Sequence, residues 1–490
     1  MRQPPPSADR STWQDPFVLL MLLYFSAQVL VRLAVSPALE LDEAEQTLWT
    51  QSLALGYGAQ PPLYTWLQWA VFQITGVSLL GLSLLKNGLL FLTYIATYGA
   101  AKRLLPRHLA ALAAASLLLI PAIGWESQRD LTHTVLVTSL AAGLLYVITR
   151  LLVDGARPAW YFALGVVVGL GILAKYSFVM VTTAWLVAML SWAPGRRLVL
   201  TPWLLLSAMV ALAIVTPHAV WLLDHWQMAS HGTLEKMHDA SDAALPWWQQ
   251  TLEGLAALIQ AVLGSAALLL IVFAGVFGWG AWRHGALPPQ SAAIGIARQL
   301  AAVILVLVLI MLVSETTQLK ARWLTPVLVP LPLLLLVWLR HAASAPRAAW
   351  LRSILLILGA IYLTAIGLRP WFDASRDRPD ELNEPVVELA QALRAMGVPS
   401  NAHLLAHSNA LAGSLRLQFP QASVQSLDAG HVQIGPRTGQ TTVRVSRTAP
   451  STTDTAACHT VRQLELPYLL AKPGAKLLTY HVCIWQPVNR

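Results

Sequence analysis

Long apolar runs separated by short polar segments fill the first three-quarters of the chain. They cover residues 17–35, 79–100, 109–123, 131–149, 159–174, 176–192, 203–222, 254–281, 299–313, 326–339 and 353–369. A helix needs about 20 mostly apolar residues to cross a bilayer, so the pattern predicts an all-α polytopic membrane bundle of about eleven transmembrane helices. Between the first two runs, Leu41, Ala44, Leu48 and Leu55 recur with helical spacing. This predicts an amphipathic helix over 42–55, lying along the membrane interface with carboxylates on its polar side. Gly56-Tyr57-Gly58 breaks that helix, Pro61-Pro62 sets an extended turn, and residues 63–74, with Trp66 and Trp69, predict a second interfacial helix. Together the two are expected to bracket a pocket.

After Pro370 the pattern becomes mixed and charged for about 120 residues, enough for one small domain. Val387, Leu389, Ala390 and Leu393 predict a helix over 384–396 that stops at Gly397, and residues 403–406, 422–427, 442–445 and 477–485 predict strands. The expected organisation is a transmembrane domain over 1–370, with its first outer loop at 36–78, and a small extracytoplasmic α/β domain over 371–490. Cys458 and Cys483, the only two cysteines, both fall in the latter. The sequence leaves open a disulfide, worth roughly 3 kcal/mol, or two unpaired thiols.

Composition sharpens this picture. The chain is 56% hydrophobic and 12% charged, against about 25% charged in soluble domains, which excludes an ordinary soluble enzyme. The net charge of +9 does not come from one basic segment, so nucleic-acid binding is excluded as well. Lys and Arg recur in small groups between the apolar runs, as in the cytoplasmic loops of membrane proteins. With the N-terminus inside, fourteen of them fall in the inside segments, and only Arg129, Lys175, Lys236, Lys320 and Arg322 fall in the outside connections. The C-terminal domain is then extracytoplasmic. No cleavable leader is expected before the first run.

The candidate chemistry lies in the outer loops. The segment 36–78 has no Lys or Arg but holds Glu40, Asp42, Glu43 and Glu45. A carboxylate at a bundle mouth can act as a general base, because partial desolvation raises its pKa. Asp42 and Glu43 are the candidates, and the alternative for either is a helix cap. Arg32, Lys86, Arg129 with Asp130, Lys175, and Lys320 with Arg322 are expected on the same side. Converging cations suit an anionic phosphate headgroup, and salt bridges to the acidic loop are the alternative. The loop 223–250 carries His225, His231 and His238, but spacings of six and seven residues match no metal-ligand motif. No cofactor is indicated there; a divalent metal is not pointed to, and the loop reads as acceptor-facing.

Several blocks resemble a family. Asp42-Glu43-Ala44-Glu45, followed by Gly56-Tyr57-Gly58-Ala59-Gln60-Pro61-Pro62-Leu63 and Trp66, resembles the first-loop signature of the bacterial polyprenyl-phosphate-sugar glycosyltransferases. That branch is related to protein O-mannosyltransferases and to the aminoarabinose transferase of lipid A. Gly169 to Tyr176, Pro217 to Gln227 and Lys320-Ala321-Arg322-Trp323-Leu324-Thr325-Pro326 are similar to later family blocks, in order. The resemblance implies a glycosyltransferase C-type fold in the inner membrane, a periplasmic active site and a sugar donor carried on a polyprenyl phosphate. The implied acceptor is an envelope lipopolysaccharide, lipid, glycan or protein.

By the same resemblance Asp42 takes the position of the family's essential aspartate and Glu43 that of its neighbour. Lys86, Lys175, Lys320 and Arg322 become contacts to the donor phosphate, and Arg129, Asp130, His133 and His225 become acceptor or supporting residues. The implied reaction is a single displacement with inversion. Two departures stand out. Leu131-Thr132-His133-Thr134 has no acidic residue where many members carry one, which passes that role to Asp130 or His133. Ala59-Gln60 lacks the usual His or Lys before the proline pair. A carrier of polyprenyl-linked sugars is the competing function, but no internal repeat of the kind common in transporters is present.

Overall fold

The computed structural model describes residues 14–227, 246–289, 292–314, 321–376, 378–428, 439–449 and 458–485. The helices of the bundle are α1 (Pro16–Val35), α2 (Leu41–Trp49), α3 (Leu63–Thr75), α4 (Leu79–Ala101), α5 (Arg107–Leu119), α6 (Ala122–Arg129), α7 (His133–Asp154), α8 (Pro158–Ala174) and α9 (Phe178–Leu190). They continue with α10 (Trp203–Asp224), α11 (Trp247–Phe277), α12 (Ala292–Ser314), α13 (Thr325–Trp338) and α14 (Ala345–Ser375). Large apolar side chains such as Leu23, Leu205 and Ile271 point outward from these helices, as hydrocarbon-facing surfaces require. The chain is a multi-pass membrane protein.

Every apolar run of the sequence carries helix, and the runs differ in length. Among the described residues seven helices are long and apolar enough to cross a membrane, or eight if the bent pair α5–α6 counts as one. The helices α8, α9 and α13 have only 10–17 residues. α5 and α6 meet at 80° around Pro121, which has no N–H to continue the ladder, and the next turn, Ala122–Glu126, is π-helical. That break turns the chain so that residues 130–132 lead into α7 beside the first outer loop.

The C-terminal segment is a five-stranded sheet with two helices, α15 (Val386–Ala395) and α16 (Asn409–Gln418). Its strands are β1 (His403–Ala406), β2 (Ser423–Ser426), β3 (Thr442–Ser446), β4 (Thr460–Leu466) and β5 (Leu478–Trp485), in spatial order β2-β1-β3-β5-β4. β1 pairs parallel with both β2 and β3, while β5 pairs antiparallel with β3 and β4. Cys458 and Cys483 form a disulfide. α16 and β4 have no counterpart in the sequence expectations. β4 is exposed along most of its length, so it shows no apolar alternation. The last bundle helix runs through Pro370 to Ser375, past the compositional break.

The segment between α1 and α4 departs most from expectation. α2 ends at Trp49 rather than Leu55, with Thr50 as its C-cap and the Thr50 hydroxyl bonded to the Gln46 and Thr47 carbonyls. It does not lie on a lipid surface. Leu48, Trp49 and Tyr57 belong to the same buried core as Leu389, Leu404, Leu415, Val424 and Val443 of the C-terminal domain. α2 and α16 touch backbone to backbone where a Cβ on Gly413 would fall 2.5 Å from the Ala44 Cα. A Gly413→Val variant is therefore expected to lose about 1–3 kcal/mol through overpacking, read as a lower thermal midpoint and faster proteolysis of the purified protein.

Candidate active site

The polar face of α2 splits into three positions with different fates. The helix begins with a capping box, in which the Glu40 side chain receives an α2 backbone N–H and Glu43 reaches back to the Glu40 N–H. Glu43 then turns into the bundle. Its carboxylate bonds Arg32 at 2.6 and 3.2 Å and Lys86 at 3.3 Å, and it is 1% exposed. Arg32 also donates to the Ser36 and Ala38 carbonyls. Burial alone would raise the Glu43 pKa, but the charges of Arg32 and then Lys86 outweigh it and hold the group down at about 2.

Glu43 is thus paired inside the bundle, which favours its ionised form, and Lys86, expected as a donor-phosphate contact, is placed against that carboxylate. Gln46, one turn on, is also inward: it contacts His133 Nε2 at 3.1 Å and accepts from the Thr65 hydroxyl at 2.8 Å. His133 is enclosed by Tyr64 and Trp49, so it supports α2 from below.

Asp42 is the carboxylate left at the surface of the site, and it is half-buried. Its Oδ2 accepts from the Thr132 N–H at 3.0 Å and from the Thr132 hydroxyl at 3.2 Å. Its own N–H donates to Asp130 Oδ1 at 3.1 Å. Oδ1 of Asp42 makes no hydrogen bond among the described residues. Desolvation, then the neighbouring Asp130 charge, push the Asp42 pKa up to about 6, against the opposing pull of the Thr132 donors and Lys86. The upward shift thus falls on a carboxylate with one oxygen anchored by Thr132 and the other without a hydrogen bond among the described residues.

Two further acids flank it. Glu40 pairs with Arg369 of α14, which also binds Asp380, and burial raises Glu40 to about 7. Glu381 is raised to about 7 by burial and then by Asp130, and its carboxylate receives the Leu41 N–H. Neither Arg369 nor Glu381 stood out in the sequence, because the partners of each lie far away along the chain.

The remaining candidates are distributed. Lys175, just after α8, is half-buried with its Nζ 3.1 Å from the Thr134 hydroxyl, at the start of α7. Arg129 pairs weakly with Glu126 at 3.9 Å. Arg322 is exposed, and Lys320 lies outside the described residues. Most of the 223–250 loop lies outside them as well, including His231 and His238. His225 closes a stack at the end of α10, with Trp221 4.4 Å away and Tyr176 and His218 continuing the series. His218 Nδ1 contacts the Leu55 carbonyl at 2.6 Å, and a Cβ on Gly56 would overlap the Trp221 ring. The aromatic stack thus buttresses the loop after α2. Among the described residues no three His, Cys, Asp or Glu side chains are grouped to hold a metal.

Comparison with known proteins places this arrangement. Residues 59–221 match the family model described as dolichyl-phosphate-mannose-protein mannosyltransferase. The chain is 39% identical to the lipopolysaccharide core galacturonosyltransferase RgtB of Rhizobium johnstonii, over 84% of this chain and 82% of that one. It is 36% identical to RgtA of the same organism, also a lipopolysaccharide core galacturonosyltransferase, over 83% and 81%. In fold it is similar to the crystal structures of ArnT from Cupriavidus metallidurans. The apo form has TM-score 0.58 at 16% identity, and the form bound to undecaprenyl phosphate has TM-score 0.57. Both comparisons cover 96% of this chain and 97% of the other.

The ion cluster makes a direct prediction. Glu43→Gln leaves two buried cations without their anion, which is expected to cost about 3–5 kcal/mol. Thermal unfolding in detergent should show a large loss for Glu43→Gln and little change for Asp42→Asn.

Proposed function

This chain belongs to the glycosyltransferase C-type family that includes the lipopolysaccharide core galacturonosyltransferases RgtA and RgtB, and from that premise we propose that it transfers a sugar from a polyprenyl-phosphate donor to an envelope glycan at the periplasmic face of the inner membrane. The names of its relatives favour a lipopolysaccharide core acceptor and galacturonic acid as the sugar. The ArnT complex with undecaprenyl phosphate favours a donor on that type of lipid. The loop-charge asymmetry supports a cytoplasmic N-terminus and a periplasmic site. The two-part organisation follows: a transmembrane catalytic domain, with the extracytoplasmic α/β domain seated on its first outer loop.

The observation that carries the mechanism is Asp42, anchored through Oδ2 by Thr132 with Oδ1 unoccupied and its pKa raised. Asp42 takes the proton of an acceptor hydroxyl as that oxygen attacks the anomeric carbon. The bond from that carbon to the phosphate oxygen breaks on the opposite face, its electron pair leaves with the polyprenyl phosphate, and the anomeric configuration inverts. Lys175 and Arg322, with Lys320 by family resemblance, stabilise the departing charge. Asp130 and Thr132 orient Asp42, and Glu43 with Arg32 and Lys86 fixes the helix that carries it.

The test uses purified protein, polyprenyl-phosphate-linked sugars extracted from host membranes and envelope acceptor, with transfer followed by mass spectrometry. Asp42→Asn is expected to lower turnover by about 10²- to 10⁴-fold while the protein still retains donor lipid. Full activity in that variant would end the base assignment. Because only the ionised carboxylate accepts a proton, wild-type turnover should rise with pH through an inflection near 6, the Asp42 value. It should reach about one-tenth of its plateau one unit below that value.

A further inference from the structure

The C-terminal domain contains a crevice that the transfer chemistry has not used. A cavity of about 530 Å³ lies between the sheet and the start of α2, within the range of about 300–1,000 Å³ typical of small-molecule sites. Its position follows from the topology. β1 has β2 on one side and β3 on the other, all three parallel, so the strand order reverses at β1. In open α/β sheets such a reversal opens a crevice at the carboxyl ends of the strands, and ligands bind there. The cavity is lined by the residues that follow each of these strands: His407, Ser408 and Asn409 after β1, Asp428 after β2 and Arg447 after β3.

The opposite wall comes from the start of α2, where Leu39 and Leu41, on either side of the cap, line the crevice directly, one residue before Asp42, whose carboxylate is held by Thr132 outside the lining. Glu381, also in the lining, receives the Leu41 N–H. The electrostatics discriminate between substrates. Arg447 is already paired with Glu384, which also accepts from the Tyr480 hydroxyl at 2.7 Å, and Asp380 is paired with Arg369. Asp428, with Glu381 in its ionised form, therefore leaves the wall acidic, a poor host for the phosphate of a lipid donor. His407 Nδ1 has no hydrogen-bond partner among the described residues. Carboxylates, an imidazole, Ser408 and Asn409 beside apolar Leu41 form a lining for a ring with hydroxyl edges and apolar faces.

We propose that this crevice is the acceptor-recognition site of the transferase, holding a hydroxyl-bearing saccharide unit of the acceptor glycan next to Asp42. The proposal rests on the transferase reading and adds to it the place where the acceptor is selected. The C-terminal domain is then a specificity module, and its contact with α2 delivers the acceptor to the base.

The test uses the full-length protein in detergent, with the lipid-free core oligosaccharide released from host lipopolysaccharide by mild acid as the probe. His407→Ala removes the ring whose Nδ1 has no partner among the described residues, and Ala410→Trp fills the cavity. Both are expected to raise the acceptor KM at least tenfold, with donor KM and turnover at saturating acceptor within twofold of wild type. Saturation-transfer NMR, run without donor, should lose the oligosaccharide signal in both variants and keep it in Asp42→Asn. Unchanged acceptor KM and unchanged binding in both variants would overturn the proposal. If either variant fails to fold, a diazirine-bearing oligosaccharide on wild type decides: labelling within residues 403–428 supports the crevice, and labelling confined elsewhere refutes it. A wild-type protein that binds the oligosaccharide but transfers nothing to it refutes the transferase reading alone. Normal transfer with unaffected variants refutes the crevice alone.

Discussion

The buried contact of Glu43 with Arg32 and Lys86 is the constraint on which the site depends. Those residues come from α2, α1 and α4, so a single carboxylate joins two bundle helices to a short helix outside them. Removing three charges from water is expensive, and their attraction offsets that cost only in one geometry, with the remaining hydrogen-bonding groups satisfied. Here the spare Arg32 donors are taken by the Ser36 and Ala38 carbonyls. The cluster is thus a positional lock more than a source of stability. It fixes the rotation of α2, and rotation decides which way the adjacent Asp42 points.

A nine-residue helix would be marginal in isolation, and α2 persists because both of its sides are occupied. Glu43 and Gln46 bind the bundle, while Ala44, Leu48 and Trp49 meet α16 and the sheet domain. Asp42 lies on the boundary between these two faces, half-buried beside Thr132 and Asp130. Two adjacent carboxylates thereby acquire opposite tuning: Glu43 is pulled down by cations, and Asp42 is raised by burial and by Asp130. Their sequence proximity says nothing of this divergence.

The bend at Pro121 makes a second contribution. A straight span through residues 107–129 would carry Asp130 and Thr132 away from the first loop. The 80° turn instead brings them to Asp42, where Asp130 meets the backbone and Thr132 the carboxylate. On the other side, the stack of Tyr176, His218, Trp221 and His225 presses on Gly56. The family-like Gly-Tyr-Gly motif therefore has a packing reason, since no side chain at position 56 clears the Trp221 ring.

The sequence by itself determined what depends on local pattern. Apolar periodicity located the helices of the bundle, the compositional shift located the C-terminal domain, strand-forming runs located β1, β2, β3 and β5, and the acidic first loop offered Asp42 and Glu43 together. It could not separate Asp42 from Glu43, because the capping box and amphipathic spacing treat them alike. It left Lys86 between a phosphate contact and a salt bridge and read α2 as an interfacial helix, because a charge at the edge of an apolar run looks the same whether its counterion is water, lipid or a carboxylate 43 residues away. It also missed α16 and β4, one buried through contact with another domain and the other largely exposed. Only the tertiary structure decided which carboxylate is locked and which is poised, and that a crevice at the strand ends adjoins the start of α2. Those outcomes depend on desolvation and on charges from distant segments, and both are set when the chain packs rather than by the order of its residues.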